Sequence, residues 1–255
     1  MLKKSLGQNF LTDHNIAKKI IKLIPNVSNI NLVEIGPGKG FLTDHLIKLN
    51  PKRLIIIEKD KELYLELKEK YNNFKNIEIF NEDILKSQII NNLSKPKIIT
   101  SNLPYNISIK IILNLLIKIE EYKSLHFMIQ KEVAEKFVYK NNLKSNRLNL
   151  LAYLISDYKK EFDVSPNVFF PKPKVMSSVV TFRPNLKTNI NINDFQEFTK
   201  ILFSTKRKKI SNNLIRNDQY KKILKKSNEL NFNLSMRPEE LKFNEIIELF
   251  KFLYN

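Results

Sequence analysis

The chain has 255 residues, of which 42% are hydrophobic, and carries 44 Lys and Arg against 26 Asp and Glu, a formal net charge of +18. It has no cysteine, which excludes disulfides and thiolate chemistry, and its three histidines share no ligand spacing, so we expect no metal site. No apolar run approaches the ~20 residues of a membrane span, and the basic N-terminus lacks the apolar stretch of a secretory signal. We therefore expect a cytoplasmic protein with no membrane partner.

The excess of positive charge favours a polyanionic partner, although a second explanation is open. The chain has 38 lysines and six arginines, a mixture that codon usage in an AT-rich genome would also produce. The distribution of the charge is more informative, because ten Lys and Arg lie between Lys200 and Lys226 with one acid, Asp218. This clustering favours a polyanion-binding surface over an ordinary solvated face.

Short apolar runs alternate with segments of helical spacing up to Tyr158. Helices are predicted over 60–71, where Asp60 can cap the first turn, and over 108–119. Strands are predicted over 31–35, 53–57, 77–80, 97–100 and 125–129. This alternation indicates an α/β fold of the doubly wound, Rossmann-like kind with a mostly parallel sheet.

The pattern changes in the segment that follows. Residues 165–174 contain three prolines, which predicts an extended loop. Residues 177–182 then have the apolar, β-branched composition of one more strand, and we expect Arg183-Pro184-Asn185 to break it.

Beyond Asp194 the sequence shows helical spacing only. A polar stretch separates this part from the preceding strand, so we place a domain boundary near Leu186. The predicted organisation is a Rossmann-like domain over 1–186 followed by a small all-α domain over 187–255.

A glycine-rich turn follows the first predicted strand, with three glycines at alternate positions within 34–40. Such a turn lets the backbone approach a ligand closely. It is neither a dinucleotide fingerprint, because Phe41 replaces the last glycine, nor a P-loop. Glu58 after the second strand can accept hydrogen bonds from ribose hydroxyls, and Asp83 after the third can bind an adenine amino group. The pattern predicts a nucleoside-containing ligand.

The fourth predicted strand ends at Asn102-Leu103-Pro104-Tyr105, a motif typical of methyltransferases that act on exocyclic amines. An adenine amino group is a poor nucleophile, because its lone pair is delocalised into the ring. The amide oxygen of Asn102 and a backbone carbonyl next to Pro104 can accept both amino hydrogens and direct the lone pair towards a methyl donor. Tyr105 offers a ring on which an extruded base can stack.

These motifs together resemble the ribosomal RNA adenine dimethyltransferases, and the resemblance extends over nearly the whole chain. Beyond the turn, the two acids and the Asn-Leu-Pro-Tyr motif, it includes the segments 7–11, 126–133, 171–175 and 206–209 with 213–214.

The resemblance implies S-adenosylmethionine as methyl donor and no metal. The residues implied to bind the donor are Asn9, Leu11, Gly36, Gly38, Glu58, Asp83, Ile84 and Asn102. Among them, Glu58 would hold the ribose and Asp83 the adenine.

It also implies a catalytic and an RNA-binding set. The catalytic residues would be Asn102, Leu103, Pro104, Tyr105 and Phe169. Phe169 would be a second aromatic face against the target base, although the neighbouring Phe170 leaves open which ring stacks. The residues implied to bind rRNA phosphates are Lys206, Arg207, Lys208 and Lys209.

The function implied is dimethylation of two adjacent adenosines near the 3′ end of 16S rRNA in the small ribosomal subunit, by a monomer with a role in subunit biogenesis. One alternative is the related family that methylates 23S rRNA and confers macrolide-type resistance. Leu103, where that family tends to have Ile, and the segment 126–133, which it lacks, favour the small-subunit enzymes. Another alternative is a non-catalytic assembly or transcription factor that binds nucleic acid, against which the intact 102–105 motif argues.

Overall fold

The computed structural model describes residues 9–139, 144–187, 189–205, 207–218, 220 and 233–254. These residues form two compact units. The first consists of the described residues of Met1–Glu135 and Ser156–Asn185, and the second of those of Lys136–Ile155 and Leu186–Asn255.

The strands of the first unit belong to a seven-stranded sheet and a small two-stranded one. In chain order they are β1 (Phe10–Leu11), β2 (Asn31–Ile35), β3 (Arg53–Glu58), β4 (Ile77–Asn81), β5 (Lys97–Asn102), β6 (Tyr122–Gln130), β7 (Ser156–Val164), β8 (Phe169–Phe170) and β9 (Ser177–Pro184). The large sheet has the order β4-β3-β2-β5-β6-β9-β7. Strands β4, β3, β2, β5 and β6 are parallel, β9 pairs antiparallel with β6, and β7 pairs antiparallel with β9, so β9 is the strand of reversed direction in this sheet. The predicted α/β, Rossmann-like class with a mostly parallel sheet is therefore confirmed.

Helices connect the strands of the first unit and form the second. They are α1 (His14–Leu23), α2 (Thr43–Leu46), α3 (Lys61–Lys70), α4 (Ile89–Asn92), α5 (Ser108–Leu116), α6 (Lys131–Lys136), α7 (Arg147–Ile155), α8 (Ile192–Leu202), α9 (Ile210–Leu214) and α10 (Phe243–Tyr254). Asp60 caps α3 as predicted, since its Oδ1 accepts a hydrogen bond from the Glu62 backbone N–H at 3.0 Å. Within the described part of the chain, no helix is long and apolar enough to span a bilayer.

The central strands β2, β3 and β5 are buried along nearly their whole length. Helices cover both faces of a parallel sheet, which explains why these strands are continuous apolar runs in the sequence. The five strands predicted for this region are all present, and β6 begins three residues earlier than expected, at Tyr122.

The structure differs from the sequence prediction around β7 and β9. The nine-residue strand β7 was not predicted, because it lies at the sheet edge and carries a largely polar sequence. The segment predicted as an extended loop contains a 3₁₀ turn at Pro166–Val168 and the short strand β8. Nor does the chain break at Arg183, since β9 continues to Pro184, which pairs with Ser156 of β7.

The described residues of the second unit contain helical elements only, around an aromatic cluster. Phe195 and Phe198 of α8 pack on Phe250 of α10, with ring centroids 5.4 and 5.5 Å apart. The segment Lys136–Ile155 belongs to this unit, because α7 packs against α8. The sequence-based division at residue 186 had assigned that segment to the first domain.

Candidate active site

A cavity of about 730 Å³ opens in the first unit where β2, β3, β4 and β5 end at their carboxyl termini. Segments that follow these strands line it, together with residues around β1 and with Phe170. Crevices at this edge are where open α/β sheets bind ligands. Eleven of the predicted site residues line the cavity: Asn9, Leu11, Gly36, Gly38, Glu58, Asp83, Ile84, Asn102, Leu103, Pro104 and Tyr105.

The glycine-rich turn leads from β2 to α2 along one side of the cavity. Gly38 has φ +60°, and a Cβ there would lie 2.5 Å from Cε1 of Phe10, so a larger residue would strain the backbone and displace the ring. The Gly36 N–H donates to the carbonyl of Ile57 at 2.9 Å, and the Gly38 N–H donates to Oε2 of Glu58 at 3.3 Å. Both bonds connect the turn to the end of β3.

Glu58 ends β3 and is 6% exposed. Its Oε1 accepts a hydrogen bond from the Asp60 N–H at 2.8 Å in addition to the bond from Gly38. Burial raises the pKa of the Glu58 carboxyl above its ordinary value. A carboxylate has about four acceptor positions, so the backbone N–H groups leave capacity for a hydroxyl group of a ligand.

Asp83 follows β4 and is already engaged on both oxygens. Its Oδ1 accepts from the Leu85 N–H at 3.0 Å, and its Oδ2 lies 2.9 Å from Nζ of Lys59. The backbone hydrogen bond and the lysine lower the pKa of Asp83, so it is ionised at neutral pH. Lys59 also lines the cavity, and sequence reasoning gave it no role.

Glu34 is a buried acid at the cavity wall to which sequence reasoning gave no individual role. Its side chain is 2% exposed, and its Oε2 accepts a hydrogen bond from the Thr43 hydroxyl at 2.6 Å. Burial raises the pKa of Glu34 to about 8, so the carboxyl is largely neutral at pH 7. The signal that could have revealed it is an acid inside an otherwise apolar strand.

The Asn102 side chain is held in a defined orientation at the end of β5. Its Nδ2 donates to the backbone carbonyl of Asn9 at 2.8 Å. No residue in the described ranges donates to its Oδ1, which is left as an acceptor for a ligand. The position and orientation of the Asn102 side chain therefore suit an amide oxygen that accepts a hydrogen bond from an amino group.

The rest of the motif is fixed by its surroundings. The Leu103 side chain is 1% exposed, and its N–H donates to the carbonyl of Met128 in β6 at 3.1 Å. The Tyr105 hydroxyl lies 2.7 Å from Oγ of Ser177 in β9. The ring of Tyr105 is thus anchored at its far end while the residue lines the cavity.

The two adjacent phenylalanines of β8 have different surroundings. Phe169 is 4% exposed, belongs to the hydrophobic core with Met128 and Val179, and is absent from the cavity lining. Phe170 is 65% exposed and lines the cavity. Successive side chains of a strand point to opposite sides, so only one of the two rings can face the ligand. The position of Phe169 does not suit the stacking role expected from the sequence.

The described members of the expected RNA-binding set lie in the second unit. Arg207, Lys208 and Lys209 are exposed, immediately before α9, and Lys206 lies outside the described residues. The described ranges contain no group of three or more His, Cys, Asp or Glu side chains placed to hold a metal ion.

A parallel sheet with a glycine turn after one strand, acids after the next two and Asn-Leu-Pro-Tyr after the fourth defines a Rossmann-like methyltransferase domain. The family model described as Ribosomal RNA adenine dimethylase matches residues 1–255. A Ribosomal RNA small subunit methyltransferase A from Wolbachia sp. subsp. Drosophila simulans (strain wRi) is 37% identical over 250 residues, 95% of this chain and 90% of that protein. One from Mycoplasma mobile (strain ATCC 43663 / 163K / NCTC 11711) is 39% identical over 244 residues, with 95% and 94% covered.

The chain is also similar in structure to solved methyltransferases. The crystal structure of a dimethyladenosine transferase from Plasmodium falciparum superposes with a TM-score of 0.73 at 28% identity, covering 94% of this chain and 95% of that one. The 23S rRNA methyltransferase ErmE shares the fold, with a TM-score of 0.69 at 20% identity and 97% and 100% coverage. The chain belongs to the ribosomal RNA adenine dimethylase family, which confirms the family predicted from the sequence.

Proposed function

We propose that the chain transfers methyl groups from S-adenosylmethionine to the exocyclic amines of two adjacent adenosines near the 3′ end of 16S rRNA, dimethylating each. The observation that carries this proposal is the Asn102 amide, whose Nδ2 is committed to the Asn9 carbonyl and whose Oδ1 remains an acceptor. The relatives named for the small ribosomal subunit cover nearly the whole chain, which supports the small subunit as partner.

The residues of the cavity fit the methyl donor. Glu58 retains acceptor capacity for a ribose hydroxyl. Ionised Asp83 can accept a hydrogen bond from an adenine amino group while its Oδ2 stays paired with Lys59. The turn around Gly36 and Gly38 gives the methionine part of the donor close access to the backbone. When bound, S-adenosylmethionine supplies an electrophilic methyl group.

The protein contributes positioning to the reaction rather than an acid or a base. Oδ1 of Asn102 accepts one hydrogen of the target amine and turns its lone pair away from conjugation with the ring. Tyr105, anchored on Ser177, and Phe170, exposed at the cavity, provide aromatic faces for an extruded adenine. In this proposal Phe170 takes the stacking role, and Phe169 supports it from the core. The methylated amine loses its proton to solvent.

The exposed basic segment before α9 binds rRNA phosphates in this proposal, with Lys206 contributing beside Arg207, Lys208 and Lys209. The catalytic part corresponds to 1–186 and the RNA-binding part to 187–255, with residues 136–155 grouping with the latter. The enzyme acts as a monomer in the cytoplasm, on the small ribosomal subunit or its precursor, and has no membrane partner.

The experiment that tests this function supplies labelled S-adenosylmethionine with unmethylated small or large ribosomal subunits and analyses the nucleosides. Dimethyladenosine in small-subunit rRNA alone is the expected result. Label in the large subunit alone would overturn the choice of substrate. Binding to small subunits without any label would overturn the catalytic assignment and leave an assembly or transcription factor.

A further inference from the structure

The glycine-rich turn is supported from the protein interior by Tyr71, the residue that follows α3. The Tyr71 side chain is 4% exposed, and its hydroxyl oxygen lies 2.9 Å from the carbonyl oxygen of Gly40 and 2.7 Å from Oδ1 of Asp44. Burial and the neighbouring carboxylate raise the pKa of Tyr71 far above its ordinary value, so the hydroxyl keeps its proton. Its single O–H hydrogen is therefore available to these two acceptors, of which the Asp44 carboxylate is the nearer.

The packing between Tyr71 and the turn is as close as the backbone allows. Gly40 has φ +78°, and a Cβ at this position would overlap the Tyr71 hydroxyl and lie 3.2 Å from Cε2 of the ring and 3.0 Å from Cδ2 of Leu67. The tyrosine occupies the space that a side chain at Gly40 would need. The path of the turn and the position of the Tyr71 ring therefore depend on each other.

A second contact comes from the neighbouring residue of α3. Nζ of Lys70 lies 2.7 Å from Oδ2 of Asp44, and both side chains of this ion pair are nearly half exposed. Exposed pairs of this kind add little stability. We therefore expect the buried hydroxyl of Tyr71 to contribute more than this exposed ion pair to holding the turn at the end of α3.

We propose that Tyr71 is a positioning residue for the methyl donor, acting through the carbonyl of Gly40 and the carboxylate of Asp44. Residues 34–39 of the turn and Asp44 line the donor cavity, whereas Gly40 and Tyr71 are not among the described residues that line it. Tyr71 would thus act through the turn and make no direct contact with the ligand. The inference rests on the proposed function, since donor binding is what the turn would serve.

The test is Tyr71→Phe, which removes the hydroxyl and keeps the ring in its packed position. We expect the KM for S-adenosylmethionine and the Kd for S-adenosylhomocysteine, measured by titration calorimetry, each to rise about tenfold, as for loss of one buried hydrogen bond. The kcat and the KM for small subunits should stay within about twofold. An unchanged donor KM and Kd would overturn the proposal.

Tyr158→Phe is the matched control. The Tyr158 hydroxyl donates to the carbonyl of Ala134 at 2.6 Å in the same unit, and Tyr158 is outside the described cavity lining. This variant loses a comparable hydrogen bond, so its melting temperature should fall by a similar amount while its donor affinity stays that of the wild type. Equal losses of donor affinity in both variants would overturn the proposal, because general destabilisation would then explain them. A wild-type chain that binds no S-adenosylhomocysteine would overturn the proposed function and this inference with it.

Discussion

Asn102 and Asn9 are joined by a hydrogen bond in which the Asn102 Nδ2 donates to the Asn9 carbonyl over 2.8 Å. The bond connects the end of β5 to the residue before β1. Because the amide nitrogen is used in this way, the orientation of the amide is set before a substrate arrives, and Oδ1 is the atom presented to it. Preorganisation of this kind is how a neutral side chain contributes to catalysis.

The first prediction concerns this amide. Asn102→Ala removes the acceptor for the target amine, so the rate of methyl transfer should fall by about a hundredfold or more, while affinity for small subunits changes less than about twofold. Single-turnover transfer and a subunit-binding assay measure the two quantities. Asn114→Ala, at an exposed position of α5, is the control and should match the wild type in both. Collapse of subunit binding in Asn102→Ala would show that the residue acts in RNA binding instead.

A second prediction separates the two phenylalanines of β8. Phe169→Ala opens a cavity in the core and should lower the free energy of unfolding by about 3–5 kcal/mol. Phe170→Ala should leave stability nearly unchanged and lower kcat/KM for small subunits by roughly tenfold or more, since base stacking contributes about 1–3 kcal/mol. Denaturant unfolding and steady-state kinetics give the two values. A stable but inactive Phe169→Ala beside a fully active Phe170→Ala would reverse the assignment.

The contrast between these two residues shows where sequence reasoning reached its limit. The apolar runs of β2, β3 and β5 and the polar residues at their ends can be predicted, because burial on both faces and parallel direction place those ends at one edge. The pairing of β1 with β8 cannot be predicted from the sequence in the same way. It sets Leu11 opposite Phe169 and Phe10 opposite Phe170, and this register joins segments that are far apart in the chain. A two-residue strand has no periodicity from which to assign the inward side chain. The edge strand β7 cannot be predicted either, because its largely polar sequence lacks the apolar run that marks a strand buried on both faces.

The third prediction is a pH dependence of stability that originates at Glu34. Its pKa is about 8 in the folded chain against an ordinary value of 4.5, so the folded state binds the proton more tightly than the unfolded state. Protonated Glu34 makes its full contribution to the free energy of unfolding below about pH 4.5. This contribution falls by about 1.4 kcal/mol for each pH unit as the pH rises towards 8, and it does not change further above that pH. The raised pKa of Glu58 acts in the same direction.

Glu34→Gln keeps the shape of the side chain and an acceptor for the Thr43 hydroxyl, but it cannot ionise. Urea unfolding of both proteins at several pH values should show a smaller decline in the variant, so the stability of the variant relative to the wild type should rise between about pH 4.5 and pH 8 and change little above that. Parallel pH profiles would show that Glu34 titrates normally. Thr43→Val is a useful comparison, because it removes the hydroxyl and retains the titrating acid.

The last prediction concerns the basic segment before α9. Replacing Arg207, Lys208 and Lys209 together by Ala should weaken binding to small subunits and reduce the slope of log K against log salt by about 0.7–0.9 for each phosphate that these side chains no longer neutralise. Donor affinity should not change, since these residues are outside the described cavity lining.

A matched control removes three exposed lysines of the first unit, at positions outside the cavity lining: Lys22, Lys52 and Lys75. Both triple variants lose three positive charges. If net charge alone mattered, both would bind small subunits equally weakly. If residues 207–209 contact rRNA directly, only the variant at 207–209 binds more weakly. Equal salt slopes in the wild type and in the variant at 207–209 would exclude this segment from RNA binding.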